Sequence, residues 1–201
     1  MSTKRNKALN PEASLKSMIK SGNDLLDNLK FEEALTKFKE AEKYMSQNFP
    51  TDNTKKRQLE LQIDQGILCG SSFDYVNELI EKYKSKTMDL KMEQEFSYAV
   101  ANALIYTKKF EQATEYLTKS MNFLEQFPKK DDDYEIKKAQ LYGLWIEVAV
   151  NEKNKAKTIE YLEFAFGCKN VEKRDPSLYF FLLGCKRKHV EREEKKALSL
   201  K

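Results

Sequence analysis

Glycine and proline are scarce in this chain, 6 and 4 residues among 201. That scarcity argues against a turn-rich β protein and for long helices. Cysteine is sparse too. Cys69, Cys168 and Cys185 form an odd set without short-range pairing. With only His189 to help, they build neither a disulfide framework nor a four-ligand zinc site. They read as small half-buried residues of a reducing compartment. Long apolar runs are missing as well: residues 141–150 make one of the longest, far short of the roughly 20 that a membrane span needs. No apolar stretch of the signal-peptide kind follows the basic residues 1–8. The expectation is a cytoplasmic protein without a membrane span, with cytoskeletal association left open.

Catalytic constellations are absent in the same way. A single histidine leaves no Ser/His/Asp triad, and His189 lies in a charged run that reads as a solvated face. Gly22, Gly66, Gly70, Gly143, Gly167 and Gly184 are all isolated, so there is no phosphate-binding loop. The acidic run Asp131, Asp132, Asp133 lacks the glycine and distal glutamate of a calcium loop, and is read as the N-terminal cap of the next helix. No enzyme, cofactor or metal is expected.

Charge and apolar patterning are what the chain does carry. Residues are 40% apolar and 34% charged, with a net charge of +4 and both signs mixed throughout. That balance suits a soluble helical surface and is too weak to indicate a nucleic-acid binder. Apolar residues recur at helical spacing, as in Leu15, Met18, Ile19, Leu25, Leu26, Leu29 and then Ala34, Leu35, Phe38, Ala41, Met45. Breaks near residues 49–52, 70–72, 85–87, 127–129 and 170–176 divide the chain into nine expected helices. These run roughly over 11–29, 31–47, 54–69, 72–84, 88–107, 110–126, 132–152, 154–167 and 176–199.

One segment, residues 20–41, has a specific internal order. Small Gly22 is followed by aromatic Phe31, then Ala34, Phe38 and Ala41 at spacings of three, four and three. Alanines at these positions let helix backbones approach, and the aromatics fill the gaps between hairpins. The frame returns at Phe110, Ala113, Leu117 and Ser120 with Ala101 before it. It returns again at Lys155, Thr158, Leu162 and Ala165 after Trp145, and most weakly at Phe73, Val76, Ile80 and Tyr83. This pattern resembles the tetratricopeptide repeat, although the copies lie further apart than that family's period of about 34 residues. The resemblance implies an all-α, right-handed α-solenoid of about four degenerate hairpins over residues 11–175. A basic tail (1–10) precedes it, and an unpaired, solvating capping helix with a charged tail (176–201) follows.

In tetratricopeptide arrays the first helix of each hairpin lines a concave surface. The resemblance therefore implies a polar ladder of Asn23, Gln65, Asn102 and Glu147. Apolar rows flank it, formed by Ile19, Leu61, Tyr98 and Gly143 on one side and Leu26, Leu68, Ile105 and Val150 on the other. The alternative is that these residues meet the chain's own C-terminal helix. The carboxylate clamp of chaperone-binding members is not reproduced. Lys20 and Asn23 match its opening, but Asp64 and Gln65 stand where a second asparagine belongs, and residues 93–104 hold neither lysine nor arginine. Basic ends at Lys4, Arg5, Lys7, Lys186, Arg187 and Lys188 could rest on an acidic surface. The expected function is a non-enzymatic scaffold or adaptor within a hetero-oligomeric complex of other proteins. A co-chaperone adaptor, or a subunit held on microtubules or a ribonucleoprotein, is the alternative, and direct nucleic-acid binding is disfavoured.

Overall fold

Helix starts are set by caps that the sequence already carries. The side chains of Asn10, Asn53, Asp89, Asp131, Asn154 and Asp175 each accept a hydrogen bond, 2.9–3.2 Å long, from a backbone N–H in the first turn that follows. A computed structural model describes residues 10–191 except 52, 72 and 74, with Glu191 described by its backbone alone. Lys4, Arg5, Lys7 and residues 192–199 of the expected last helix lie outside the described residues. Among the described residues every regular element is helical. No helix among them is long and apolar enough to cross a membrane. They divide into two compact units, Met1–Met88 and Asp89–Lys201.

The first unit contains α1 (Pro11–Asp27), α2 (Phe31–Asn48), α3 (Thr54–Gly70) and α4 (Val76–Tyr83). Its core gathers Leu15 and Ile19 of α1, Ala34, Phe38, Ala41 and Met45 of α2, and Leu59, Ile63 and Ile67 of α3. Phe38 is fully buried. Its ring faces two glycines: a Cβ on Gly22 would stand 2.6 Å from the ring, and one on Gly66 would stand 2.3 Å from it. No side chain larger than hydrogen fits at either place while Phe38 keeps its position. Burying such a ring contributes roughly 1.5–3 kcal/mol.

The second unit contains α5 (Leu90–Tyr106), α6 (Phe110–Glu125), α7 (Asp132–Asn151), α8 (Lys155–Gly167), the single turn α9 (Val171–Arg174) and α10 (Pro176–Lys186). A π-helical turn, Arg187–Glu191, follows α10. Here α7 packs on α5, α6, α8, α9 and α10. Buried Gln94 and Ser120 join α5 to α6 by reciprocal hydrogen bonds, and Lys137 of α7 donates to the Gln94 side chain at 3.1 Å. The acidic run is used locally. Asp131 caps α7, while Asp132 accepts from Asn170 and Asp133 pairs with Arg174. The C-terminal segment is shorter as an α-helix than expected, ending at Lys186, and it is not unpaired. Leu182 is fully buried, and Leu178 lies against the position of Gly143.

Three hairpin turns are alike. After α1, α5 and α7 the chain passes through the left-handed region at Leu29, Lys108 and Lys153, with φ between 57° and 61°. The next N–H in each case reaches five residues back, Lys30 to Leu25, Lys109 to Leu104 and Asn154 to Ala149, at 2.8–2.9 Å. The expected second copy departs from this. Phe73 takes the positive φ itself, so the helix starts at Val76, and Leu79 rather than Ile80 is fully buried beside Val76 and Tyr83.

Gly66→Ala tests the packing around Phe38. Helix propensity alone would favour alanine by up to about 1 kcal/mol, but overpacking against the ring costs about 1–3 kcal/mol. We expect a lower urea midpoint, with Gly22→Ala less severe. Gly184→Ala, whose Cβ meets nothing within 4 Å, should raise the midpoint or leave it unchanged.

Candidate functional site

Asp64 stands nine residues before Phe73, where the first hairpin has its glycine, and the structure buries it completely. A buried carboxylate needs partners, and α4 supplies them. Lys82 Nζ donates to Asp64 at 2.7 Å and Tyr83 Oη donates to it at 2.8 Å. Lys82 also pairs with Glu60 at 3.4 Å and Glu42 at 3.8 Å, and Lys86 pairs with Glu60 at 2.6 Å. Burial opposes the Lys82 charge, yet its bond to Asp64 and the charges of Asp64 and Glu60 hold its pKa above the ordinary lysine value. Burial first, and then the Asp64 charge, push the Tyr83 phenol up. This network fastens a short helix by polar contacts where the first hairpin uses a glycine and a ring.

The expected groove residues divide by burial. In the first unit Ile19 belongs to the core, and Leu61 and Leu68 are each 1% exposed. Leu26 packs partly against that core, Gln65 is half-buried, and Asn23 is exposed. In the second unit Ile105 is buried, whereas Tyr98, Asn102, Glu147 and Val150 are half-buried. The apolar rows are thus largely consumed by the chain's own packing, and the polar ladder keeps more of its surface.

Glu147 and Val150 do come together, beside the C-terminal helix. They line a cleft of about 390 Å³ with Ile146, Phe180, Phe181 and His189. Phe180 is 70% exposed and Phe181 is 37% exposed. Burial raises the Glu147 carboxyl above its ordinary range. Burial and the Lys188 and Lys155 charges lower the His189 pKa below its ordinary value. Exposed Lys186, Arg187 and Lys188 sit at this end of the unit, with Lys186 Nζ 5.4 Å from the centre of the Phe166 ring. The result is an apolar opening with Lys188 and Glu147 in its lining, able to receive apolar side chains of another chain.

Phe180 and Phe181 were not anticipated as site residues. A signal existed: residues 178–183 are apolar without a break, too many for one helical stripe, so some must face outward. The three cysteines are half-buried and free. Burial pushes the Cys168 thiol up to about 11, away from thiolate reactivity.

Lys82→Met leaves Asp64 buried without its cation and should cost about 3 kcal/mol, read by urea denaturation. Adding Asp64→Leu should restore most of it. Both raised pKa values act in one direction with pH. Tyr83 and Lys82 titrate from 10.0 and 10.5 when unperturbed and later when folded. Their stabilisation is therefore complete at neutral pH and lost as pH climbs past about 10. Tyr83→Phe should make that alkaline loss shallower; an identical alkaline limb would show that the pair does not govern it.

No protein-family model, curated protein or solved structure matches this chain significantly.

Proposed function

We propose that the chain is a non-enzymatic protein-interaction scaffold built from tetratricopeptide-like hairpins, working as a subunit or adaptor of a larger protein assembly. The observation that carries this reading is the recurrence of one hairpin design. The small, large, small frame is buried in Ala34, Phe38, Ala41, again in Ala113, Leu117, Ser120, and again in Thr158, Leu162, Ala165. Each follows the same left-handed turn. Repeated hairpins stack into a right-handed α-solenoid, whose extended surface suits capture of protein segments. Half-exposed Asn102 and Tyr98, and the cleft of Glu147, Val150 and Phe180, are the contact points we assign to the partner.

A co-chaperone role of the carboxylate-clamp kind is disfavoured by the same residues. Asp64, at a clamp position, is buried and already paired with Lys82. An incoming carboxylate would meet negative charge there. Attachment to an acidic surface such as a microtubule would rest on Lys186, Arg187 and Lys188, which are exposed.

The experiment is a native pull-down of the tagged full chain from its own cells at low and high salt, compared with a Val150→Ser/Phe180→Ser variant. We expect stoichiometric proteins that survive high salt, since apolar contacts are little screened, and that are lost with the variant while helicity by circular dichroism is unchanged. Capture of tubulin or RNA alone, released as salt rises, would move the interface to the basic end.

A further inference from the structure

The second unit carries a different surface on the side of α7 that faces α6 and α8. A groove of about 490 Å³ opens there, with Trp145 of α7 and Tyr161 of α8 on one wall. The two rings stack at 5.7 Å with 23° between their planes. Tyr142 and Phe164 extend the array, stacking on each other at 5.3 Å and 24°. Phe164 is 48% exposed, and Tyr142, Trp145 and Tyr161 are half-buried. Tyr142 and Tyr161 also pack against the core of this unit while keeping part of their surface in water.

The charges beside these rings decide what the groove can hold. Glu111 and Glu115 of α6 and Glu152, which follows α7, line it against one cation, Lys157. All three carboxylates are exposed. Phosphates of a nucleic acid would be repelled there even though the rings suit base stacking. A guanidinium fits both features, with its face on an aromatic ring and its N–H groups on carboxylates. Elsewhere in this unit the chain makes such contacts for itself. Lys119 lies 4.5 Å from the Tyr116 ring centre and Lys130 lies 4.1 Å from that of Tyr134. Among the described residues no cation lies over Trp145 or Tyr161.

We propose that this groove is a docking site for an arginine-rich segment of a partner protein, with an arginine stacked on Trp145 and held by Glu111, Glu115 and Glu152. The site needs no repeat architecture and stands whether or not the scaffold reading does.

Trp145 is the chain's one tryptophan, so its fluorescence reports the site directly. The full chain is titrated with an arginine nonapeptide at low and physiological salt. We expect a saturable one-to-one change in emission. Glu115→Lys/Glu152→Lys should weaken binding roughly tenfold and Glu115→Gln/Glu152→Gln somewhat less. Glu32→Lys/Glu33→Lys, on exposed α2 positions of the other unit, should change it less than about twofold. A lysine nonapeptide should bind more weakly than the arginine one, since ammonium neither stacks nor forks. The chain's net charge of +4 gives a polycation no general attraction to it. Absence of a saturable change, equal weakening by the α2 variant, or tighter binding of oligouridylate at Trp145 would each overturn the proposal.

Discussion

Close approach between helices depends on what stands opposite a large side chain, and Phe38 is where this constraint is tightest. Its ring lies against Gly22 of α1 and Gly66 of α3, so one residue of α2 locates both neighbouring helices. A methyl group at either glycine would overlap the ring. The register of α1 on α2, and of α2 on α3, is therefore fixed by volume. Ala34 and Ala41, both fully buried on the same helix, let the backbones come near enough for this to happen. The second unit applies the constraint more gently. Ala101, Ala113, Ala139 and Ala165 are fully buried there, and larger side chains fill what they leave.

Where the small residue is missing, the chain substitutes charge. Asp64 takes the crossing position of the second hairpin, and its carboxylate is satisfied by Lys82 and Tyr83. A polar crossing of this kind demands particular partners. Any slip of α4 along α3 would strand a buried charge at a cost of several kcal/mol, whereas an apolar contact tolerates small shifts. That explains how a helix of only eight residues (Val76–Tyr83) holds a defined place. It also explains the departure from the expected frame. With Tyr83 drawn to Asp64 and Phe73 in the left-handed region, Leu79 rather than Ile80 turns inward.

Helix positions were legible because caps and apolar periodicity agree: Asn53, Asp89, Asp131 and Asn154 mark starts in the sequence as they do in space. The left-handed turns were not legible. Leu29, Lys108 and Lys153 occupy a conformation that usually selects glycine or asparagine, so composition gave no sign of them. The groove was legible only in part. Helical spacing places Ile19, Leu61, Leu68 and Ile105 on a chosen face, but spacing cannot say whether another element covers that face. The chain's own packing does so for all four. The last helix failed as a solvating cap for a related reason. Residues 178–183 are too apolar to lie free in water, and Leu182 is drawn into a core with Ile146, Leu162 and Val171.

Helix α7 shows why the exposed features fall where they do. Its apolar residues go nearly all round the axis, as Leu141, Leu144, Ile146, Val148 and Ala149 are all buried, and such a helix needs neighbours on every side. Five helices supply them, and two openings remain beside it. Beside α10 lie Glu147 and Val150 with Phe180, and beside the start of α6 lie Trp145 and Glu152 with Glu111. The first opening holds Lys188 and Glu147 among apolar residues, and the second holds three carboxylates and Lys157. Both openings are lined by residues of α7, so a single helix fixes the distance between them.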